Sequence, residues 1–185
     1  MAIIIYILVV FLALLIVFTS IFIVVIVVNI LSLAITKVPP ISTDKKYFAK
    51  IFQQVRITPK TVIYDLGCGS GNFLLAASAF RPKKCVGFEL SPMPYFSALV
   101  KSAFWGRGKM KVYFKDFFKT EIRDADIVYV YLVPPLLGRV ALKLKHELKP
   151  GAVALAKGQP FPDLKYVDKI VLDDKSGYPL YVYKF

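Results

Sequence analysis

The chain has 185 residues, enough for one domain with an appendage, and 25 Lys+Arg against 12 Asp+Glu leave it with a net charge of +13. Two cysteines are too few for a disulfide framework, and with one histidine no cluster has metal-ligand spacing. An apolar content of 57% and a mean hydropathy of +0.59 are high for a soluble domain, and the excess sits at one end.

From Ala2 to Thr36 there is no charged residue, and the polar interruptions are Thr19, Ser20, Asn29, Ser32 and Thr36. About 20 apolar residues cross a bilayer, so residues 1–37 read as one tilted transmembrane anchor. A cleavable signal peptide would have a basic start and a shorter apolar core, and neither is present. Basic residues are absent before the anchor, whereas Lys37, Lys45, Lys46 and Lys50 follow it. The positive-inside rule therefore predicts a single-pass membrane protein with its main domain on the cytoplasmic side. The whole excess of positive charge lies from Lys37 onward. It suits a membrane lipid surface, because the lysines are scattered rather than massed in a tract with interleaved aromatics. Nucleic acid is the disfavoured partner.

Residues 38–60 read as a linker and a short helix. Val38-Pro39-Pro40 stops the anchor, since proline cannot continue a helix. Ser42, Thr43 and Asp44 offer N-caps for a helix to about Val55, with Phe48, Ile51, Phe52 and Val55 at helical spacing.

The domain at 61–185 opens with a β-branched strand over 61–65, then Asp65-Leu66-Gly67-Cys68-Gly69-Ser70-Gly71-Asn72, then a helix over 71–80. Strand, tight glycine turn and helix make the first half of a βαβ unit that holds a nucleoside cofactor. A dinucleotide fingerprint would want Gly or Ala where Asn72 stands, and an acid two residues before the first glycine would repel a pyrophosphate. The same acid, Asp65, suits the ammonium of a methionine-like moiety.

A second strand over 85–88 ends at Glu89, about twenty residues after the turn, where a carboxylate grips a ribose diol. Ser91-Pro92 opens a helix whose apolar stripe, Phe96, Leu99, Val100, Ala103 and Phe104, reads as core. A third strand over 109–114 precedes Lys115-Asp116-Phe117-Phe118. The fourth, 126–133, is nearly continuous in β-branched and aromatic residues, as in a central parallel strand. It ends in Tyr131-Leu132-Val133-Pro134-Pro135. The next helix buries Leu137, Val140, Ala141, Leu144 and Leu148, and leaves Arg139, Lys143 and the single His146 on the surface. A fifth strand over 152–156 follows. Strands over 166–172 and 180–184, joined by the Asp-Asp-Lys-Ser-Gly turn at 173–177, form a terminal hairpin.

Asp65–Gly71 resembles motif I of the class I S-adenosylmethionine-dependent methyltransferases, over roughly 61–185. Gly87–Pro92, Lys-Asp-Phe-Phe-Lys at 115–119, Tyr-Leu-Val-Pro-Pro at 131–135, Phe-Pro at 161–162 and the final Leu-Tyr-Val-Tyr narrow the resemblance. Together with the anchor they are similar to the small membrane-anchored protein-lysine methyltransferases that modify the adenine nucleotide translocase and the ATP synthase c-subunit. The resemblance implies an α/β fold: a Rossmann-like seven-stranded sheet with a C-terminal antiparallel hairpin, preceded by one transmembrane helix. It implies S-adenosyl-L-methionine as cofactor, held by Asp65, Gly67, Cys68, Gly69, Gly71, Glu89, Leu90, Asp116 and Phe117. Of these, Asp116 would meet the adenine amino group and Phe117 the ring. Tyr131, Val133 and Pro134 would position the substrate.

Many amino-group methyltransferases carry a polar residue and an aromatic where Val133 and Leu136 stand, so base-edge and glutamine methylation are disfavoured. The expected activity is lysine methylation on a membrane or membrane-proximal protein. Two other readings stay open: a methyltransferase for a lipid-soluble small molecule, and a non-catalytic cofactor-binding membrane protein. No residue stands out as a general base.

Overall fold

The computed structural model describes residues 1–36, 43–172 and 178–185. The proline pair at 39–40 and the turn at 173–177 lie outside the described residues. The chain divides into two compact units, Met1–Lys37 and Val38–Phe185.

The first unit is a single helix, α1 (Ala2–Thr36). Its Ala2–Val28 portion has a mean hydropathy of 3.3 and no buried face, so it is apolar all round. At 1.5 Å per residue these 27 residues span about 40 Å, longer than a hydrocarbon core of about 30 Å. The helix is long and apolar enough to cross a membrane.

The second unit is built on a seven-stranded sheet of order β3-β2-β1-β4-β5-β7-β6. Its strands are β1 (Val62–Leu66), β2 (Lys84–Phe88), β3 (Met110–Tyr113), β4 (Ile127–Val130), β5 (Val153–Lys157), β6 (Asp168–Ile170) and β7 (Leu180–Lys184). The first five run parallel, and β7 lies antiparallel between β5 and β6. The expected sheet and terminal hairpin are therefore both present. Helices α2 (Phe48–Phe52), α3 (Asn72–Ser78), α4 (Pro92–Trp105) and α5 (Pro134–Glu147) complete the unit, with 3₁₀ turns at Lys45–Tyr47 and Phe117–Lys119. The helix expected to reach Val55 is a 3₁₀ turn and five α-helical residues. Asp44 caps it by accepting from the Lys46 N–H.

The core lies on both faces of the sheet because β1 is buried throughout. Val62, Tyr64 and Leu66 face Val140, Leu137 and the rest of the α5 side, whereas Ile63 packs with Phe73, Leu74 and Tyr129 on the α3 side. Alternation along the strand therefore carries Asp65 to the α3 face.

Two expectations about helix faces are corrected. The stripe of α4 read as core points outward: Phe96, Leu99 and Phe104 are exposed, while Ala98 is buried. The packed side is held by polar bonds instead. Lys101 Nζ donates to the Ser70 carbonyl (2.9 Å) and to Asn72 Oδ1 (2.7 Å), and Ser102 Oγ donates to the Met110 carbonyl (2.6 Å). Lys143, expected on the surface, is buried. Its charge is met by Glu147 Oε1 one helical turn on (2.6 Å) and by the Thr120 carbonyl (2.5 Å). Glu147 Oε2 also accepts from the Ile122 N–H at 2.9 Å, which fixes the loop before β4. His146 is exposed, as expected.

Candidate active site

β1 and β4 are neighbours, and the chain runs outward from them in both directions, β2 and β3 on one side and β5 on the other. The carboxyl ends of strands at such a reversal form a crevice, and ligands bind there in open α/β sheets. A cleft of about 310 Å³, partly open to solvent, lies at this point. Its lining is Thr43, Asp65, Gly67, Cys68, Ser70, Asn72, Phe73, Tyr129 and Tyr131.

The turn between β1 and α3 shapes its floor. Gly67, Gly69 and Gly71 have φ of +81°, +53° and +74°, a region that side chains strain to enter. A side chain would also have to displace its neighbours' side-chain ends. A Cβ on Gly67 would lie 2.7 Å from Leu132 Cδ2, and one on Gly71 would lie 2.6 Å from Met110 Cε. The turn is tied to its neighbours: the Gly67 and Cys68 N–H groups donate to the Phe88 carbonyl, and Lys101 holds Ser70 and Asn72 from α4.

Asp65 is 3% exposed, and among the described residues its carboxylate has no hydrogen bond or ion pair. Burial pushes its pKa well above the usual carboxylate value, and the Glu89 charge adds to the rise. An unpaired buried carboxylate at the wall of a cleft is costly. A cationic group in the cleft would relieve that cost, so the donor set fits an ammonium.

Glu89 is held differently. Its Oε2 accepts from the Gly69 N–H (2.8 Å), and its Oε1 accepts from the Leu90 (2.9 Å) and Ser91 (2.7 Å) N–H groups. The pairing of Leu66 with Phe88 sets this up, because it places the residue after β2 beside the glycine turn. The carboxylate is oriented and keeps lone-pair capacity for a diol.

The cleft lining thus includes Asp65, Gly67, Cys68 and Tyr131 from the residues the sequence singled out. Gly69, Gly71, Glu89, Leu90, Asp116, Phe117, Val133 and Pro134 are outside that lining. Gly69 and Gly71 shape the turn, and Glu89 reaches it through the Gly69 N–H. Leu90 is exposed. Asp116 caps the 3₁₀ turn after β3, its Oδ1 accepting from the Phe118 N–H, and Phe117 is buried beneath it. Val133 caps α5 and Pro134 is its first residue. Cys68 is a buried thiol pushed well up by burial, then by the Asp65 and Glu89 charges, so it is a packing residue rather than a nucleophile.

Sequence reasoning missed four features. Thr43 and Tyr129 share a buried hydroxyl–hydroxyl hydrogen bond of 2.6 Å. Phe73 stacks on Tyr129 with ring centroids 4.0 Å apart. Lys101 braces the turn. Lys157, buried at the end of β5, sets its ammonium 4.2 Å from the Tyr131 ring centre and 5.4 Å from that of Tyr47. Burial pulls the Lys157 pKa below the usual lysine value, with Asp44 pulling the other way. Among the described residues no group of three or more His, Cys, Asp and Glu side chains could hold a metal ion.

Comparison with known proteins agrees with this geometry. Residues 65–168 match the family described as the ANTKMT methyltransferase domain. A protein-lysine N-methyltransferase of Saccharolobus islandicus (strain REY15A) is 31% identical over 116 residues, 62% of this chain and 72% of that protein. The adenine nucleotide translocase lysine N-methyltransferase of Mus musculus is 29% identical over 129 residues, 68% of this chain. The match spans 55% of the mouse protein, so this chain corresponds to about half of it. Among solved structures, an RNA methyltransferase from Salinibacter ruber in complex with S-adenosyl-L-homocysteine superposes with a TM-score of 0.71 at 22% identity. That superposition covers 78% of this chain and 93% of that one, and it speaks for the fold alone. The chain belongs to the ANTKMT methyltransferase domain family, within the class I S-adenosylmethionine-dependent methyltransferases.

Proposed function

We propose that this protein is a membrane-anchored enzyme that methylates a lysine of a membrane or membrane-proximal protein, with α1 as the anchor and the catalytic unit on the cytoplasmic side. The observation that carries the reading is Asp65, a buried carboxylate at the wall of the cleft with no hydrogen bond or ion pair among the described residues. Family membership supports methyl transfer, and the lysine methyltransferases among its relatives support lysine as the acceptor.

When bound, S-adenosylmethionine would supply an electrophilic methyl on a positively charged sulfur, for transfer to a neutral amine with the neutral thioether as leaving group. This chain's residues bind, align and desolvate. Asp65 would hold the α-ammonium, and the glycine turn lets the ligand approach the backbone closely. Glu89 would hold the ribose hydroxyls, its carboxylate already oriented by three N–H donors. Asp116 and Phe117 would meet the adenine, and Val133 and Pro134 would border the acceptor.

The acceptor amine must be neutral to react. Tyr131 offers an aromatic face in the cleft. A second ammonium brought against that ring meets the like charge of Lys157, which favours loss of its proton. Lys157 is thus a positioning residue for the acceptor's protonation state.

Calorimetric titration of the detergent-solubilised chain with S-adenosylmethionine tests the cofactor site. Binding in the micromolar range, lost in Asp65→Ala and in Glu89→Ala, is the expected result. A folded wild-type chain that binds nothing would overturn the reading.

A further inference from the structure

The outward face of α4 has no role in the cleft and is apolar. Met93, Phe96, Val100 and Phe104 follow one another at helical spacing, with Leu99 and Ala103 beside them. Phe96 is 61% exposed and Phe104 76%, and Trp105 at the helix end is 59% exposed with its ring 5.7 Å from that of Phe104. A surface helix ordinarily turns such a stripe inward. Here the inward side is occupied by Ala98, Lys101 and Ser102 instead. The apolar face is not an accident of one residue.

Its surroundings name the partner. From Leu90 to Lys115 the sequence holds Lys101, Arg107, Lys109, Lys111 and Lys115 and no acidic residue. Lys101 is engaged on the glycine turn; the others follow directly on the aromatic end of the helix. Large aromatics flanked by Lys and Arg are the pattern of a helix lying in a membrane interface, its rings at the headgroup level and its cations on anionic lipid. A protein partner would be met as well by uncharged surroundings, so the unbroken basic sign favours lipid. The same chain carries a helix able to span a bilayer. Only residues 37–44 join α1 to the turn at Lys45, and eight residues reach about 28 Å at full extension.

We infer that the outer face of α4, centred on Phe96, Phe104 and Trp105, seats on a bilayer surface containing anionic lipid. The inference rests on the membrane-anchored reading above and adds the face by which the catalytic unit meets the membrane.

Trp105 is the only tryptophan in the chain, which makes it a direct reporter. The full chain is reconstituted into phosphatidylcholine vesicles with and without phosphatidylglycerol, their acyl chains brominated. The expected result is blue-shifted emission, quenched at least twofold by the bromines and more strongly with phosphatidylglycerol. Phe96→Ser with Phe104→Ser, both at exposed positions, should abolish quenching and leave S-adenosylmethionine binding unchanged. Unquenched, water-like emission from vesicles that retain the protein after carbonate extraction overturns the inference and leaves the anchor standing. So does emission that shifts only when a soluble protein is added. A chain that carbonate removes would overturn both, while cofactor binding by that chain would still stand for the methyltransferase reading.

Discussion

Replacing Asp65 with asparagine should stabilise the ligand-free protein and abolish its response to cofactor. The side chain is 3% exposed and without a partner among the described residues, so ionising it in place leaves a buried charge uncompensated. Such a charge costs several kcal/mol, against about 1–3 kcal/mol for a neutral amide left without partners. The substitution should therefore gain about 2 kcal/mol at high pH, or about 4–8 °C in Tm for a chain of this size. The pH dependence fixes the cause. The folded-state pKa of Asp65 lies above its unfolded value of 3.8. Folding thus favours the protonated form, and stability is lost as pH rises from 3.8 through the raised value. The two proteins should differ little at the acid end of that window, and the gap should open across it. Thermal unfolding in detergent across this range, with and without S-adenosylmethionine, measures both effects. Saturating cofactor should raise Tm in the wild type by about 2.7 kcal/mol's worth at a hundredfold excess over Kd and leave the variant unmoved. An Asp65→Asn protein that is less stable than wild type at neutral pH, or that still responds to cofactor, would refute the assignment.

Glu89→Gln removes the charge that three backbone N–H groups point to. It should weaken cofactor binding at least tenfold by calorimetry and cost about 1–2 kcal/mol of stability by denaturant unfolding. Gly87→Ala places a Cβ 2.5 Å from Leu74 Cδ1 and 2.7 Å from Cys68 Sγ, between β2 and the packed turn. Chemical denaturation should show a loss of about 1–3 kcal/mol. Lys157→Met removes the like charge beside Tyr131. The pH at half-maximal kcat/KM should rise by about one unit, the order expected for unit charges on either side of one ring, while cofactor affinity holds.

The glycine turn and Glu89 were legible in the sequence because backbone conformation and strand register dictate them locally. A positive φ at Gly67 and Gly71 demands glycine, and the parallel pairing of β1 with β2 sets the acid beside the turn. The strands themselves were legible for a similar reason, each being a short apolar run between turn signals. The α4 stripe shows the limit. Periodicity reports that a helix has an apolar face, and not whether protein covers it; Lys101 and Ser102 decided that through bonds to residues in other elements. Lys143 was misread because its burial depends on Thr120 and Glu147 taking its charge together. Lys157 gave no signal, and Thr43 read only as one of three N-cap candidates. Their partners, Tyr131 and Tyr129, lie far along the chain in and just after β4, and neither spacing nor composition carries such a pairing.

The most direct test is to supply methyl-labelled S-adenosylmethionine to the full chain in native membranes and follow the label by mass spectrometry. Label recovered on protein lysines, and lost with Asp65→Ala, is the expected result. Label confined to the lipid extract, or cofactor bound with no label transferred to any protein, would contradict lysine methylation.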